Sequence, residues 1–431
     1  PAARLVRLLL FGTVAVVSVF FGFLAHDVSE AQSLVERFGY YSIAFTFAWA
    51  VVALAQVLPD WWRERPETSA RQFTTLVGTV LALTLVAALT TPYTYKVLYD
   101  EFVLQATAQN LHQAREIGTA VRGYDIEGAF RVFGTYLDKR PFFFAFLVSL
   151  LHDLTGYREA NAFALNTALM PAVLGLLYLV ARRLMAHRAA LSVVVCAGAF
   201  SLLAHNATGA GMEMLNLAML LLVTLLAAFY LDAPDERRLA ALILATVLLA
   251  QTRYESSLYV GPVALVVLEG WRRARRVILP AAAMLAPALL IPYALHSTYL
   301  SGTPALWELR PGQEERFSVE YLPDNLINAL RFFFDFTGVV PNSWWLGVAG
   351  VPALAVAIFF VVRAIPRWRQ APAGTVAVTL IGGGVCANLG LLMFYYWAAL
   401  NDPIAARLSL PFCLLVALCL GWLVEKIPVT H

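Results

Sequence analysis

Residues 404–424 read IAARLSLPFCLLVALCLGWLV, and in this run a single charged side chain, Arg407, interrupts an otherwise apolar sequence. A hydrocarbon core about 30 Å thick is crossed by roughly 20 residues of helix. The segment therefore reads as a membrane span carrying a charge near one end. Such a charge is costly in lipid unless it faces water or a partner. Runs of the same kind recur at 5–25, 40–59, 72–91, 160–181, 190–205, 212–231, 239–252, 256–268, 277–296, 344–362 and 375–397. The spacing predicts an all-α polytopic membrane protein with about a dozen transmembrane helices. Two runs, 239–252 and 256–268, are short and separated only by Arg253, Tyr254 and Glu255, which predicts a tight hairpin whose tip sits inside the membrane boundary.

Composition agrees. Of 431 residues, 60% are hydrophobic and 14% charged, where a soluble domain carries about 25% charged residues. Mean hydropathy is +0.70. A net charge of +3 gives no basic patch for nucleic acid. Cys196, Cys386, Cys413 and Cys419 all lie in apolar runs and read as small apolar residues, not as disulfide or metal ligands. The run 5–25 is long for a signal-peptide core and reads as a retained helix.

Charge orients the bundle. With the first residues inside, the short inner connections hold Arg63, Arg65 and Arg71; Arg182, Arg183 and Arg188; Arg237 and Arg238; Arg272, Arg273, Arg275 and Arg276; and Arg363, Arg367 and Arg369. Most acids then lie outside. This is the positive-inside pattern. It leaves two long outer loops, 92–159 and 297–343. In the first, Leu98–Ile117, Ile126–Leu137 and Pro141–Leu151 are predicted as helices along the outer surface. In the second, a helix is expected from Pro323 to Phe336.

The side chains suited to chemistry gather on that outer side. Asp100 and Glu101 are adjacent carboxylates just past a span; the plain alternative is a solvated helix start. Lys139 and Arg140, beside Pro141, suit a phosphate at headgroup depth, or else simply snorkel. Arg253 at the hairpin tip requires a wet cavity or a partner, with Glu255 the nearest choice. Arg407, and Glu213 after Asn206-Ala207-Thr208-Gly209, stand at outer helix ends. His112 and Glu116, four apart, form a weak metal pair.

In order, Tyr99-Asp100-Glu101, Lys139-Arg140-Pro141-Phe142-Phe143-Phe144, Gly156-Tyr157-Arg158-Glu159-Ala160-Asn161, Leu177 through Leu184, Thr252-Arg253-Tyr254-Glu255 and Ala406-Arg407-Leu408-Ser409-Leu410-Pro411 resemble the GT-C superfamily of polyprenyl-phosphate-dependent glycosyltransferases, the protein mannosyltransferase-like and aminoarabinose transferase-like enzymes. The match spans roughly 92–424. Arg140 and Tyr254 stand where the family has proline, and two helices precede its usual first one.

The resemblance implies a GT-C-like module at 72–431, preceded by two extra N-terminal helices at 1–71 that could dock a membrane partner. It implies sugar transfer, with inversion, from a polyprenyl-phosphate donor to a lipid, glycan or protein acceptor, on the outer face of a bacterial inner membrane. Asp100 would be the catalytic base, with Glu101 orienting it or binding acceptor. Lys139, Arg140, Arg253 and Arg407 would meet the donor phosphate, Glu213, Glu255 and Tyr254 would line the site, and the loop 297–343 would cover it. No cofactor is required; a divalent metal stays open. The rival readings are a transporter or flippase, disfavoured because no inverted repeat and no broken helix near mid-bilayer are seen and the charges cluster at one surface, and an inactive GT-C-like scaffold. The site residues are expected to line one pocket open sideways to lipid.

The topology has a direct test. A cysteine placed at Ser318 should react with an impermeant thiol reagent in intact cells, and one at Thr68 should not. Labelling at position 68 would overturn the orientation.

Overall fold

A computed structural model of the protein describes residues 2–64, 67–127, 129–307, 309, 313, 315–337 and 344–426. The chain is a bundle of apolar helices. Helices α1 (Ala2–Phe23), α2 (Val28–Glu64) and α3 (Ala70–Thr90) open it, and α3 starts at a capping box, Ser69 and Gln72 each satisfying the other's backbone N–H. The first long loop holds α4 (Leu98–Ala114), strands β1 (Thr119–Ile126) and β2 (Ala129–Tyr136), and α5 (Phe143–Thr155). Then come α6 (Ala160–Ala181), α7 (His187–Gly198), α8 (Ser201–Ala207), α9 (Glu213–Asp232), α10 (Glu236–Ala250) and α11 (Val260–Ala274). The last part holds α12 (Ala281–Leu289), α13 (Ile291–Gly302), α14 (Leu322–Phe334), α15 (Val351–Ala364), α16 (Ala373–Leu392), α17 (Pro403–Ala406) and α18 (Leu410–Lys426).

Among the described residues nine helices are long and apolar enough to cross a membrane, or ten when the bent pair α7 and α8 counts as one span. The two short runs of the sequence are α10 and α11, 15 residues each, joined through Arg253 and a 3-10 turn at Tyr254–Tyr259. Burial sorts the spans. The most apolar window of α9 is 94% buried, against 11% for α1 and α3, so α9 is the hub and α1 and α3 lie at the periphery. Helices α6, α10, α11 and α16 pack around α9. Both N-terminal helices pack on the bundle, α1 on α12 and α13 and α2 on α10, α13 and α5, and among the described residues α2 alone of the two adds side chains to the hydrophobic core.

Ion pairs tie the helix ends on one side of the bundle: Arg7–Glu236 at 2.7 Å, Arg238–Glu64 at 2.5 Å, Arg237–Asp60 at 3.0 Å and Arg183–Asp232 at 2.7 Å. These are the loops that the charge pattern placed together. The candidate site lies at the opposite end.

Three local expectations change. Ile126–Leu137 is not a helix but the second half of an antiparallel hairpin, with Thr119 facing Tyr136 and Ile126 facing Ala129. Ile126, Phe130, Phe133 and Leu137 imitate helical spacing. β-branched and aromatic residues such as Val121, Tyr124, Val132, Phe133 and Thr135 favour a pleated pair instead, and Glu127 turns it with φ +53°. The run 190–205 is broken: α7 and α8 meet at 68° across Ala199 and Phe200. Gly198 ends α7 against Leu83, extended Phe200 restarts the chain, and a Gly/Ser pair is a recurrent cause of such kinks. Finally, α2 extends the apolar run 40–59 at both ends, by twelve residues to Val28 and, past Pro59, by five to Glu64. The helices α4, α5 and α14 stand as expected. The loop 297–343 is described only in part, since 308, 310–312, 314 and 338–343 lie outside the described residues, as do 65–66 and 427–431.

At Gly347, in a widened turn before α15, an added Cβ would strike the Phe333 carbonyl oxygen of α14. Backbone cannot rotate away as a side chain can. Gly347→Ala should cost about 1–3 kcal/mol, read as a lower melting temperature in detergent; an unchanged melt would refute this packing.

Candidate active site

Four stretches of chain meet at the end of the bundle opposite those ion pairs. The first turn of α4 brings Asp100 and Glu101. The segment 138–143 follows β2 and is pinned on both sides. His296 Nε2 of α13 donates to the Asp138 carbonyl at 2.7 Å, and Phe143 N donates to the Gln251 carbonyl at 3.3 Å. The α10–α11 tip is fixed to α9 by Thr252 and Ser256, whose hydroxyls donate to Asn216 Oδ1 at 2.8 and 2.6 Å. The last span arrives through α17, capped by Asp402 on Ile404 N at 2.8 Å, which sets Arg407 one turn on.

Their charged side chains form one chain of ion pairs. Asp138 pairs with Arg140 at 2.6 Å, and Arg140 also pairs with Asp100. Asp100 pairs with Arg407 through its other oxygen, and Arg407 pairs with Glu213 at 2.5 Å. Arg253 pairs with the same Glu213 oxygen at 2.6 Å and with Glu255. The Arg140, Arg253, Glu213 and Arg407 side chains are all at least nine-tenths buried, which demands such pairing. Burial pushes the Asp100 carboxyl up, but the Arg407 and Arg140 guanidiniums outweigh it and hold Asp100 far below the ordinary carboxylate range. It is ionised throughout the neutral range.

Glu101 is elsewhere. It is 2% exposed and accepts backbone N–H groups from Val97 at 2.8 Å, from Lys96, and from Ala210 at 2.7 Å. It closes the start of α4 and fastens it to the loop 208–212. That loop squeezes between Glu101 and Glu213. A Cβ on Gly209 would lie 2.9 Å from Glu101 Oε1, and one on Gly211 would meet Glu213. Asn166 holds the loop by donating to the Gly209 and Gly211 carbonyls at 2.9 and 2.8 Å.

Beside the ion-pair chain is a cavity of about 450 Å³. Its polar lining includes Lys139, Tyr254, Glu255, Tyr293 and Arg316, and its apolar wall includes Leu258, Leu391, Leu392 and Leu408. Leu258 and Leu391 are also exposed, so this wall reaches the apolar surface of the bundle. Lys139 Nζ donates to the Leu306 carbonyl at 2.7 Å. Of the residues expected in one pocket, Lys139, Tyr254 and Glu255 line it, whereas Asp100, Arg140, Arg253, Arg407 and Glu213 are engaged in the adjoining ion pairs. His112 pairs with Asp153 at 2.6 Å, not with Glu116. No group of three His, Cys, Asp or Glu side chains suited to a metal occurs among the described residues. The sequence reading missed His296, Trp307, Arg316 and the Gly209/Gly211 loop; only the loop had a local signal, its two glycines flanking one alanine.

No family model matches the chain, and no curated protein matches it. Among solved structures, ArnT from Cupriavidus metallidurans bound to undecaprenyl phosphate aligns with 84% of this chain at 15% identity and a TM-score of 0.51. The chain spans 61% of that ArnT chain's length. ArnT in the apo state aligns at 16% identity over 82% of this chain and 76% of its own, TM-score 0.41. An Archaeoglobus fulgidus oligosaccharyltransferase, tethered to an acceptor peptide containing the NVT sequon, aligns at 12% identity over 85% and 55%, TM-score 0.39. At such identities the likeness concerns the fold: the chain is a polytopic integral membrane protein with a GT-C-like fold.

Glu213 neutralises two buried guanidiniums at once. Glu213→Ala should therefore destabilise by about 3–5 kcal/mol, a larger loss of melting temperature than Glu101→Ala gives. Equal melting of Glu213→Ala and wild type would show the arginines to be solvated instead.

Proposed function

We propose that the protein transfers a sugar, with inversion, from a polyprenyl-phosphate donor to an acceptor on the extracytoplasmic side of the membrane. The observation that carries this reading is Asp100, ionised and fixed between two guanidiniums beside an apolar-walled cavity open to lipid, in a GT-C-like bundle. Residues 72–431 make up the catalytic module, and the acceptor is a lipid, a glycan or a protein. The bacterial inner membrane is the compartment that fits.

The chemistry is spare. The acceptor oxygen attacks the anomeric carbon, the bond from that carbon to the phosphate oxygen breaks, and its electron pair leaves on the phosphate. The acceptor's proton passes to Asp100. Phosphate leaves readily, so no second carboxylic acid is needed, unlike in glycoside hydrolysis. Cations near the leaving group offset its growing charge. Asp100 is a weak base but always in its basic form and held in one orientation; a positioned base contributes roughly 10²–10⁴-fold. Glu101 keeps α4 in place through the 208–212 loop and so positions Asp100. The broken span α7–α8 delivers that loop, which favours a scaffolding role for the break over a transport path.

Asp100→Asn keeps size and shape but cannot take the proton. Turnover of a radiolabelled undecaprenyl-phosphate-linked sugar by the purified chain should fall roughly 10²-fold or more, with donor binding nearly unchanged. Lys139→Ala should weaken donor binding, and Glu101→Gln should have a milder effect. Full activity in well-folded Asp100→Asn would remove Asp100 from the role. The low carboxyl pKa adds a sign: lowering pH from 8 to 5 leaves Asp100 ionised, so the wild-type rate should not fall through loss of this base. An acid limb near pH 6 that disappears in Asp100→Asn would contradict that.

A further inference from the structure

The ion-pair chain has two ends, and they differ. Charges alternate along it in the order Asp138, Arg140, Asp100, Arg407, Glu213, Arg253 and Glu255. Both ends are carboxylates. The Asp138 end is closed: Oδ1 accepts from Arg140 N at 2.9 Å and from the Arg140 guanidinium at 2.6 Å, and Oδ2 accepts from the Tyr136 hydroxyl at 3.3 Å. The Glu255 end is open. Its Oε1 is taken by Arg253, whereas Oε2 is buried with no hydrogen-bond partner among the described residues. A carboxylate oxygen shut away from both water and donors is costly unless a ligand supplies the donor. Glu255 belongs to the wall of the cavity of about 450 Å³, a volume within the range of roughly 300–1,000 Å³ common for small-molecule sites. The hydroxyls next to it satisfy one another. Tyr293 donates to Ser257 Oγ at 2.9 Å, and Ser257 donates to the Tyr254 carbonyl at 2.8 Å. The Tyr254 phenol, on the same wall, is within electrostatic reach of both Glu255 and Asp100, so the open oxygen and the proposed base stand around one void.

We propose that Glu255 selects the sugar: its Oε2 accepts a hydrogen bond from a hydroxyl or an ammonium on the transferred ring, and its charge turns away sugars that carry a carboxylate. This rests on reading the chain as a polyprenyl-phosphate-dependent transferase. Arg253 is the positioning residue. It holds Oε1 and so fixes where Oε2 lies, while Thr252 and Ser256 tie the same tip to Asn216 of α9. A site built to bond one substrate donor discriminates sharply, because an analogue without that donor leaves a buried polar group unpaired. An acidic sugar fares worse still. It would set a further carboxylate against the end of a chain whose four acids already outnumber its three guanidiniums.

The test compares binding of bare undecaprenyl phosphate with that of its mannose, glucose, glucosamine and glucuronic acid esters, on the purified full chain in nanodiscs. At least one of the first three esters should bind wild type roughly 10- to 100-fold more tightly than the bare lipid, the gain expected from a hydrogen bond to a charged group. The glucuronic ester should show no gain. Glu255→Ala should abolish the gain and leave the affinity for bare lipid unchanged, an effect that a merely structural role would not produce. Glu255→Gln, whose amide oxygen still accepts, should keep part of the gain and admit the glucuronic ester. Arg253 retains Glu213 in both variants; if Glu255→Ala fails to fold, Glu255→Gln alone carries the test. A gain with mannose or glucose assigns the donor as a hydroxyl, and a gain with glucosamine alone assigns it as an ammonium; both support the proposal. No gain from any sugar, a gain that both variants keep in full, or a glucuronic ester bound most tightly of all would overturn it and leave the transferase reading standing. Failure of wild type to bind any of these lipids would overturn both.

Discussion

A guanidinium cannot be buried in an apolar bundle unless carboxylates face it, and most of this site follows from that requirement. Arg140, Arg253 and Arg407 come from three distant parts of the chain, and each ends on a carboxylate from another part. Asp100 and Arg407 are 307 positions apart. Breaking any one pair strands a charge, so α4, the segment after β2, the α10–α11 tip and the last span hold one another in register. The helices supply a dry surround in which these pairs are strong; the pairs supply the directional fixing that apolar contacts between helices lack.

The same pairing sets the terms of the proposed transfer. Two guanidiniums on Asp100 fix its direction and keep it ionised, and they also weaken it as a base. A carboxylate in that state is suited to accept a proton late, when the acceptor oxygen has already begun to bond to carbon and its proton has become acidic.

Much of the bundle was legible because its signals are local or cumulative. Run length gave the spans, arginine placement gave the shared ends, and the cost of charge in lipid marked Arg253 and Arg407 as needing partners. Partner identity was not legible. Arg253 has Glu255 two residues away, yet it also takes Glu213, 40 positions back, and no local pattern encodes a pairing made by folding. Arg140, read from its neighbours Lys139 and Pro141, pairs with Asp138 and with the distant Asp100, and the second of these contacts had no local signal either. The hairpin was misread because Ile126, Phe130, Phe133 and Leu137 fit a helical period while the side-chain types favour a strand. Arg316 and Trp307 sit in a polar, glycine- and proline-bearing loop, where an arginine or a tryptophan has no pattern to stand out against.

Asp100 and Glu101 show how finely position divides roles. Successive residues on a helix point about 100° apart and do not face a common neighbour. Asp100 therefore meets Arg140 and Arg407, whereas Glu101 turns toward the loop 208–212 and spends both oxygens on backbone N–H groups. The loop can come that close only because Gly209 and Gly211 carry no side chain. Its far side meets Glu213, which holds Arg407, which holds Asp100. The two neighbouring carboxylates are thus linked the long way round, through a glycine loop, a third carboxylate and an arginine. Among the described residues, the Glu101 and Asp100 side chains share no hydrogen-bond or ion-pair partner.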